Sequence, residues 1–287
     1  YGFDASNRSA AIDIKRQPTL GMYQPDAIAT YEVNGQQYIV TANEGDARDY
    51  DGYSEEDRVG DLVLDPSIFP DADFLQEDEN LGRLNTTLAN GDIDQDGMHE
   101  IIYSYGARSF SIWDENGNQV YDSGDEFEQK IAELDPDHFN STNDDNDSFK
   151  NRSDDKGPEP EAVTIAVIDG EVYAFIGLER MGGIMVYNVS DPRAPYYVSY
   201  TNNRNFAVDA ETNAAGDLGV EDLLFIAASD SPTGDPLLVS ANEVSGTISL
   251  FGFSDATTTV SRSSSEEAKT DIYLEGLYPN PFTTHFN

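Results

Sequence analysis

Apolar and polar positions alternate in short runs along the chain, and two stretches follow one plan. "PDAIATYEVNGQQYIVTANEGDAR" (25–48) has apolar runs on both sides of Asn34-Gly35. "KGPEPEAVTIAVIDGEVYAFIGLERMGG" (156–183) has them on both sides of Asp169-Gly170. Asn-Gly and Asp-Gly are preferred two-residue hairpin turns, because both positions tolerate a positive φ. The pattern therefore predicts a β-hairpin in each stretch.

Acidic residues mark the end of each hairpin away from its turn. Closing the hairpins on their turns places Glu44 opposite Pro25 and Glu179 opposite Pro160. A third stretch, "VEDLLFIAASDSPTGDPLLVSANEVSGTISLFGF" (220–253), has the same order with a longer turn. The other acids at these hairpin ends are Asp26, Glu161, Glu221 and Glu243. The sequence therefore repeats one unit with glutamates at equivalent places.

The repeat predicts an all-β fold. A more divergent copy, "IIYSYGARSFSIWDENG" (101–117), has Arg108 near the place of the glutamates, and a further strand follows each unit. Several strands per unit, with turns rich in glycine, indicate blades of a β-propeller. We expect about four blades, the C-terminal part of a larger, seven-bladed propeller, with a double-sheet sandwich as the alternative. Only 124–135 has helical periodicity, and it is interpreted as a loop insertion.

A propeller would gather these blade ends on one face, around the central channel. The predicted acidic ring consists of Glu44, Glu161, Glu179, Glu221 and Glu243. Arginines also recur in the short segments that end the units, at Arg48, Arg108 and Arg180. The ring has two interpretations: a shared site for cations or substrate, or carboxylates that accept backbone N–H bonds and tie blades together. The arginines either bind an anion or pair with the glutamates.

The composition narrows the choice of ligands. The chain has 55 acidic and 16 basic residues, a formal charge of −39. Such a field repels nucleic acid and anionic membranes and attracts cations, so it suits either metal binding or a salty environment. Cysteine is absent and the three histidines are scattered, which argues against a zinc enzyme or a Ser-His hydrolase. No apolar run reaches the ~18 residues that a membrane span needs.

"NGDIDQDGMHEII" (90–102) is the most specific local motif. Its carboxylates are Asp92, Asp94, Asp96 and Glu100, and Gly97 permits a tight turn. Alternating carboxylates in such a loop can surround one hard cation with oxygen ligands. The motif predicts a calcium site, and the alternative is a solvated turn rich in aspartate.

"NSTNDDNDSFKNRSDDKG" (140–157) lacks that clean alternation. It is interpreted as a flexible, solvated loop. The loop nevertheless delivers Arg152, Asp154 and Lys156 next to Glu159 and Glu161. Charges of both signs suit a site for an anion that is bound through a metal.

Several longer sequence segments resemble those of the bacterial choice-of-anchor I family. They include "GMYQPDAIATY", "TANEGDARDY", "RSDDKGPEPEAV" and "FIGLERMGGIMVYNVSDP", and the resemblance covers about residues 1–253. It implies a propeller-like domain on a secreted or surface protein, often labelled alkaline-phosphatase-like. The family domain is longer at its N-terminus. The resemblance therefore implies missing N-terminal blades, supplied by further chain or by a partner chain that covers the exposed blade edge.

The C-terminal part divides into two segments. Residues 254–272 are rich in Ser and Thr and are interpreted as a linker after the 1–253 propeller portion. Residues 273–287 contain "YPNPF", which resembles the first strand of the type A sorting domain of type IX secretion. This resemblance implies export across the outer membrane of a Bacteroidota-type bacterium.

The sequence therefore predicts a secreted or cell-surface, calcium-binding propeller that binds or hydrolyses phosphorylated ligands. The predicted ring would hold cations through its glutamates, and the three arginines would hold phosphoryl oxygens. The alternative is a non-catalytic surface scaffold, an adhesion or filament component, with calcium confined to the Asp92 loop. A sugar-binding propeller is less favoured, because Trp113 is the sole tryptophan.

Overall fold

A computed structural model of the chain describes residues 1–256 and 271–276. Strands dominate these residues and helices are few, so the predicted all-β class is confirmed. The strands are β1 Thr19–Gly21, β2 Ala27–Val33, β3 Gln36–Asn43, β4 Asp49–Tyr50, β5 Tyr53–Ser54, β6 Glu56–Arg58, β7 Asn85–Thr87, β8 Ile102–Ser104, β9 Ser109–Asp114, β10 Gln119–Asp122, β11 Pro160–Ile168, β12 Glu171–Leu178, β13 Ile184–Asn188, β14 Tyr196–Thr201, β15 Val220–Ile226, β16 Leu237–Asn242, β17 Thr247–Ala256 and β18 Asp271–Gly276. The α-helices are α1 Ala72–Leu75 and α2 Glu126–Leu134. Three short 3₁₀ turns lie at Val59–Asp61, Pro136–His138 and Asn213–Ala215.

Three four-stranded antiparallel sheets form the framework. The first has the order β10-β9-β3-β2, the second runs from β11 to β14, and the third runs from β15 to β18. The predicted hairpins are present as β2–β3 and β11–β12, with positive φ at Asn34-Gly35 and at Asp169-Gly170. The described residues do not close into a ring, so the propeller and its number of blades stay predictions.

The predicted fourth repeat, 101–117, is not a sheet of its own. Its strand β9 pairs with β3 in the first sheet, while β8 pairs in parallel with β1. The first sheet is therefore interrupted by a long excursion between β3 and β9. Periodicity alone did not separate a new repeat from the returning half of an earlier one.

A β-bulge alters the register at the start of the second sheet. Pro160 pairs with Leu178, whereas Val163 pairs with Ile176, so an extra residue lies between the two pairs. The prediction that Glu179 lies opposite Pro160 is therefore wrong by one residue. The Glu179 N–H instead donates to the Glu159 carbonyl at 2.8 Å. The third sheet has an equivalent shift between Val220 and Asp222, at Glu221.

The second sheet is buried on both faces because it lies between the other two. Alternate residues of β12 pack in opposite directions: Ala174 and Ile176 face the first sheet, while Tyr173 and Phe175 face the third. Strands buried on both faces have nearly continuous apolar sequences, as β12 has. In contrast, β2 in the first sheet alternates between buried or half-buried and exposed positions.

Helix α2 is part of the core. Phe127 and Ile131 are fully buried against the first and second sheets. Glu128 on the same helix is 1% exposed and pairs with Arg108 at 2.7 Å. The segment predicted as a loop insertion therefore closes the side of the junction between the two sheets.

The loop 140–157 is exposed in its middle part, at Asp144, Asp145 and Asp147, but much of the rest is buried, so the prediction of a solvated loop holds only for that middle part. Asn140, Ser153 and Lys150 are at most 1% exposed. The Lys150 ammonium lies 3.0 Å from the carboxylate of Asp4, which is equally buried. The basic residues of the loop are thus paired inside the fold, whereas its central aspartates lie in water.

The C-terminal segments are described only in part. Strand β17 runs to Ala256, and β18 pairs with it as the fourth strand of the third sheet. The remaining predicted linker, 257–270, and the predicted "YPNPF" strand lie outside the described residues. Within the described part of the chain, no helix has the length and apolar character to cross a bilayer.

Candidate metal centre

Acidic side chains from the first two sheets meet where their hairpins end. Glu44 directly follows β3, and the Asp26 N–H donates to the Ala42 carbonyl at 3.0 Å, beside the start of β2. Glu159 and Glu161 flank the first residue of β11, and Glu179 directly follows β12. The repeat predicted this gathering of hairpin ends.

Two glycines let the chain turn at Glu44. Gly45 and Gly106 have φ values of 84° and 67°, in the left-handed region that favours glycine. A Cβ on Gly106 would lie 1.8 Å from the Glu44 carbonyl oxygen. The close approach of these two backbones holds Glu44 at the sheet junction, where it is 9% exposed.

The carboxylates form two overlapping groups, and within each group one oxygen per residue lies within 4.8 Å of the others. The first group contains Asp26, Glu44 and Glu161, and the second contains Glu44, Glu159 and Glu179. We call the five residues together the buried acidic centre; Asp26, at its edge, is exposed to water. Such spacing allows several carboxylate oxygens to contact one cation, which is how proteins bind calcium.

Three basic side chains neutralise one part of the centre. Glu159 is fully buried and contacts Arg152 at 2.6 Å, Arg180 at 3.0 Å and Lys156 at 3.1 Å. Lys156 also contacts Glu44 at 2.5 Å. Glu159 has a φ of 53°, which is strained for a residue other than glycine, and such strain clusters at functional sites.

Glu161 is different, because it is 8% exposed and its Oε2 atom is buried with no hydrogen-bond partner. An unpaired buried carboxylate oxygen is costly, since the charge has left water without a replacement. Glu161 lies at the β-bulge of β11, a feature often found next to functional sites. The first group therefore has an oxygen that is ready for a ligand.

The electrostatics follow from this arrangement. Burial raises the pKa of Glu161 well above its usual range, and the charges of Glu179, Glu44 and Glu221 add to the effect. Burial also raises the pKa of Glu179, with Glu159 adding to it. Burial raises the pKa of Glu44 although Lys156 opposes it. For Glu159, burial acts in the same direction, but Arg152, Lys156 and Arg180 outweigh it and lower the pKa to about 2.

The other predicted ring residues divide into near and distant ones. Glu221 acts electrostatically on Glu161, so it lies at the rim of the centre. Glu243 also follows a hairpin strand, but it is exposed and outside both carboxylate groups. Of the predicted arginines, only Arg180 reaches the centre. Arg48 pairs with Glu55, and Arg108 is buried against Glu128, so the prediction that all three lie together is wrong.

The predicted calcium loop is a separate acidic group. Asp92, Asp94, Asp96 and Glu100 each offer an oxygen within 4.8 Å of the others. Their carboxylates accept N–H bonds from the loop itself, such as Gly97 N–H to Asp92 at 3.0 Å and Ile93 N–H to Glu100 at 2.7 Å. Asp94 and Asp96 are exposed to water.

Comparison with known proteins places the chain in a family. The family model for the choice-of-anchor I domain matches residues 1–192, about two thirds of the chain. The chain belongs to the choice-of-anchor I family. The match includes all five residues of the buried acidic centre and ends before the third sheet. Membership supports an extracellular or cell-surface protein.

Two curated relatives are similar to this choice-of-anchor I chain. Gigasin-3a of Magallana gigas is 32% identical over 188 residues, which is 62% of this chain and 66% of that protein. Mesenchyme-specific cell surface glycoprotein of Strongylocentrotus purpuratus is 24% identical over 253 residues, 74% of this chain and 31% of that protein. The chain thus spans about two thirds and about one third of the relatives' lengths. No solved structure matches it significantly.

The predicted ring of this choice-of-anchor I domain did not include Asp26 or Glu159, although Glu159 was part of the predicted cluster of mixed charge. Asp26 was recognisable because it directly follows Pro25, which the predicted hairpin places opposite Glu44. Glu159 lies three residues after Lys156 in "KGPEPEAV", so the nearby basic residues were the available signal. The bulge that brings both Glu159 and Glu161 into the centre has no recognisable signature in the sequence.

Proposed function

We propose that the chain forms part of a secreted or cell-surface β-propeller that binds calcium at the buried acidic centre. The observation that carries this proposal is the buried Oε2 atom of Glu161. This atom has no hydrogen-bond partner, and the carboxylates of Asp26 and Glu44 lie beside Glu161. A divalent cation there would replace the missing partner and offset the mutual repulsion of the acids. The three-sheet framework and the repeated hairpins support the propeller.

The donors favour calcium over zinc or copper. Every candidate ligand is a carboxylate oxygen, and hard cations prefer oxygen. None of the grouped residues is histidine, and the chain has no cysteine. The Asp92 loop is proposed as a second, weaker calcium site of the same chemistry.

Binding of a phosphorylated ligand is the extension that the centre supports best. Calcium would supply a Lewis acid for the phosphoryl group. Arg180 remains 26% exposed in its side chain while it contacts Glu159 and Glu179, so its guanidinium lies at the open side of the centre. Arginine is suited to phosphoryl oxygens, because its N–H groups bind them in pairs. Hydrolysis of a phosphoester is the activity proposed for this arrangement.

Hydrolysis of 4-nitrophenyl phosphate by the full chain, with calcium and then with a chelator, tests the activity. Glu161→Gln and Glu179→Gln are the test variants, and Asp92→Asn in the exposed loop is the matched control. We expect turnover that needs calcium, falls in both test variants and persists in the control. Absence of turnover, together with calcium-dependent stabilisation that Glu161→Gln removes, would leave a calcium-binding scaffold without catalysis.

The non-catalytic scaffold, an adhesion or filament component, makes a different prediction. It requires paired acids at the sheet junction and calcium in the Asp92 loop only. The paired state of Glu159 fits that alternative, but the unpaired oxygen of Glu161 does not. Calcium-dependent stabilisation that is lost in Asp92→Asn and retained in Glu161→Gln would establish it.

Further blades would complete the repeat at the third sheet. Glu44 and Glu179 follow their strands and are buried at sheet junctions, whereas the equivalent Glu243 is exposed. We propose that another blade, from further chain or a partner chain, packs beside Glu243. A structure of the full-length secreted protein tests this, and an outer face of the third sheet left in water would contradict it.

Export by type IX secretion is proposed from "YPNPF" alone. Fusing residues 254–287 behind a periplasmic reporter in a Bacteroidota host, with a sorting-deficient strain as control, tests the route. Retention of the reporter in the periplasm of both strains would contradict this proposal.

A further inference from the structure

The second carboxylate group has the spacing of a metal site, but nitrogen donors already occupy its oxygens. Glu159 Oε1 accepts from Arg152 Nε at 2.9 Å, and its Oε2 accepts from Arg180 Nε at 3.0 Å. Glu179 Oε1 accepts from Asn143 at 2.7 Å, and its Oε2 lies 3.2 Å from Arg180. These two carboxylates therefore have their charges balanced by fixed side chains.

Lys156 lies between the carboxylates of this group. Its ammonium contacts Glu44 Oε1 at 2.5 Å and Glu159 Oε2 at 3.1 Å, and its side chain is only 8% exposed. Glu44 belongs to both carboxylate groups, so Lys156 is bound to the carboxylate that two metal ions would share.

We propose that the Lys156 ammonium takes the place of a second metal ion, so that the buried acidic centre binds one divalent cation, at Asp26, Glu44 and Glu161. This inference rests on the proposed function, because it assumes that the centre binds calcium. It replaces the expectation of two or more cations with a mononuclear site beside a fixed positive charge.

The charges support one ion rather than two. Lys156 bridges Glu44 and Glu159 and also lies 3.9 Å from Asp46, so its ammonium already neutralises the second group from within. A second divalent ion would have to lie against this ammonium, and repulsion between like charges in a buried site costs free energy.

Counting bound calcium on the full chain tests this inference. All proteins carry Asp92→Asn and Asp94→Asn, so the exposed loop does not contribute. Equilibrium dialysis against calcium chloride should give one ion per chain, and adding Glu161→Gln should give none. Adding Glu179→Gln should leave one ion, because Glu179 belongs only to the group that Lys156 neutralises.

Lys156→Met removes the ammonium and keeps a side chain of similar length. We expect this variant to bind two ions, and adding Glu179→Gln to it should return the count to one. Lys156→Arg, which keeps the charge, should bind one ion. A Lys156→Met protein that folds normally by near-ultraviolet circular dichroism and still binds one ion would overturn the inference.

The count in the protein that retains Lys156 is decisive even where Lys156→Met does not fold. Two ions there, or loss of the single ion in the Glu179→Gln variant, would overturn the inference and leave the proposed calcium function standing. No bound ion at all, with Glu161→Gln indistinguishable from its parent, would overturn the proposed function itself.

Discussion

The Asp92 loop and the buried acidic centre both contain carboxylates at similar spacing, but they differ in the partners of their oxygens. Both bring carboxylate oxygens within 4.8 Å of one another. In the loop, Asp92 accepts from Asp96 N–H at 3.1 Å and from Gly97 N–H at 3.0 Å. In the centre, Glu161 Oε2 is buried without a partner.

This difference shows that clustering alone does not identify a site that needs a ligand. Water and backbone N–H groups solvate the loop carboxylates, and repulsion between exposed charges is screened by salt. At the centre, Glu161 is buried and the bulge of β11 directs it towards other acids. Only the second arrangement leaves a cost that a cation can offset.

The largest effect on the free energy of unfolding is expected at the Arg108–Glu128 pair. This pair is buried but fully partnered, so it distinguishes the effect of burial from the effect of a missing partner. Arg108 and Glu128 are as buried as the centre, but they pair at 2.7 Å, and Arg108 also donates to three backbone carbonyls. Glu128→Gln removes the charge that neutralises Arg108, and breaking a buried pair typically costs about 3–5 kcal/mol. Urea unfolding measures the loss, which should be equal with calcium and with chelator. A loss that calcium reverses would contradict this assignment.

Glu161→Gln should have the next largest effect on stability. Without calcium it should stabilise the fold, whereas Glu128→Gln destabilises it. In chelator, the variant should be more stable than the parent, because an unpaired buried carboxylate has become neutral. With calcium at about a hundredfold excess over its dissociation constant, the parent should gain about 2.7 kcal/mol and the variant much less. Thermal unfolding with and without calcium measures both effects.

Glu243→Gln, at the equivalent hairpin end of the third sheet, is the matched control for that experiment. Glu243 is exposed and outside both carboxylate groups, so its variant should keep the calcium response. An equal loss of response in both variants would show that any acid at a hairpin end, rather than the unpaired oxygen of Glu161, supports binding.

The sequence predicted the hairpins, because turn dipeptides and strand periodicity determine them locally. It predicted the gathering of Glu44, Glu161 and Glu179 because one unit is repeated along the chain. It did not predict that Arg108 would be buried, because the partner on α2 comes from 20 residues further along the chain. The burial of Lys150 against Asp4 also depends on a contact between distant segments. Tertiary pairing of charges has no periodic signal, so acidic and basic loops were interpreted as solvated.

The pH dependence should distinguish the centre from the loop with a smaller effect. Without calcium, the raised pKa values of Glu44, Glu161 and Glu179 mean that the folded state binds more protons than the unfolded state. The free energy of unfolding should therefore fall as pH rises above the ordinary glutamate value of 4.5. Glu159 acts oppositely, because its pKa is lowered to about 2 and its contribution is lost as pH falls below 4.5.

Urea unfolding in chelator between pH 5 and pH 8 measures the first effect. A tenfold difference in proton affinity between the folded and unfolded states corresponds to about 1.4 kcal/mol, and we expect a decrease of at least that size in the parent. Glu161→Gln should show a smaller decrease, whereas Asp92→Asn should match the parent. A parent whose stability rises steadily over this range would contradict the predicted direction.

The smallest effect is expected from Asp92→Asn itself. Its side chain can still accept one loop N–H, and surface changes usually alter stability by less than about 0.5 kcal/mol. In the Glu161→Gln background, which isolates the loop, Asp92→Asn should abolish weak calcium binding measured by titration calorimetry. Calcium that binds to solvated carboxylates relieves little repulsion between them. Asp92→Asn in the parent should therefore hardly change the melting temperature in calcium. A large fall in that temperature would reverse the comparison and make the exposed loop the principal calcium site.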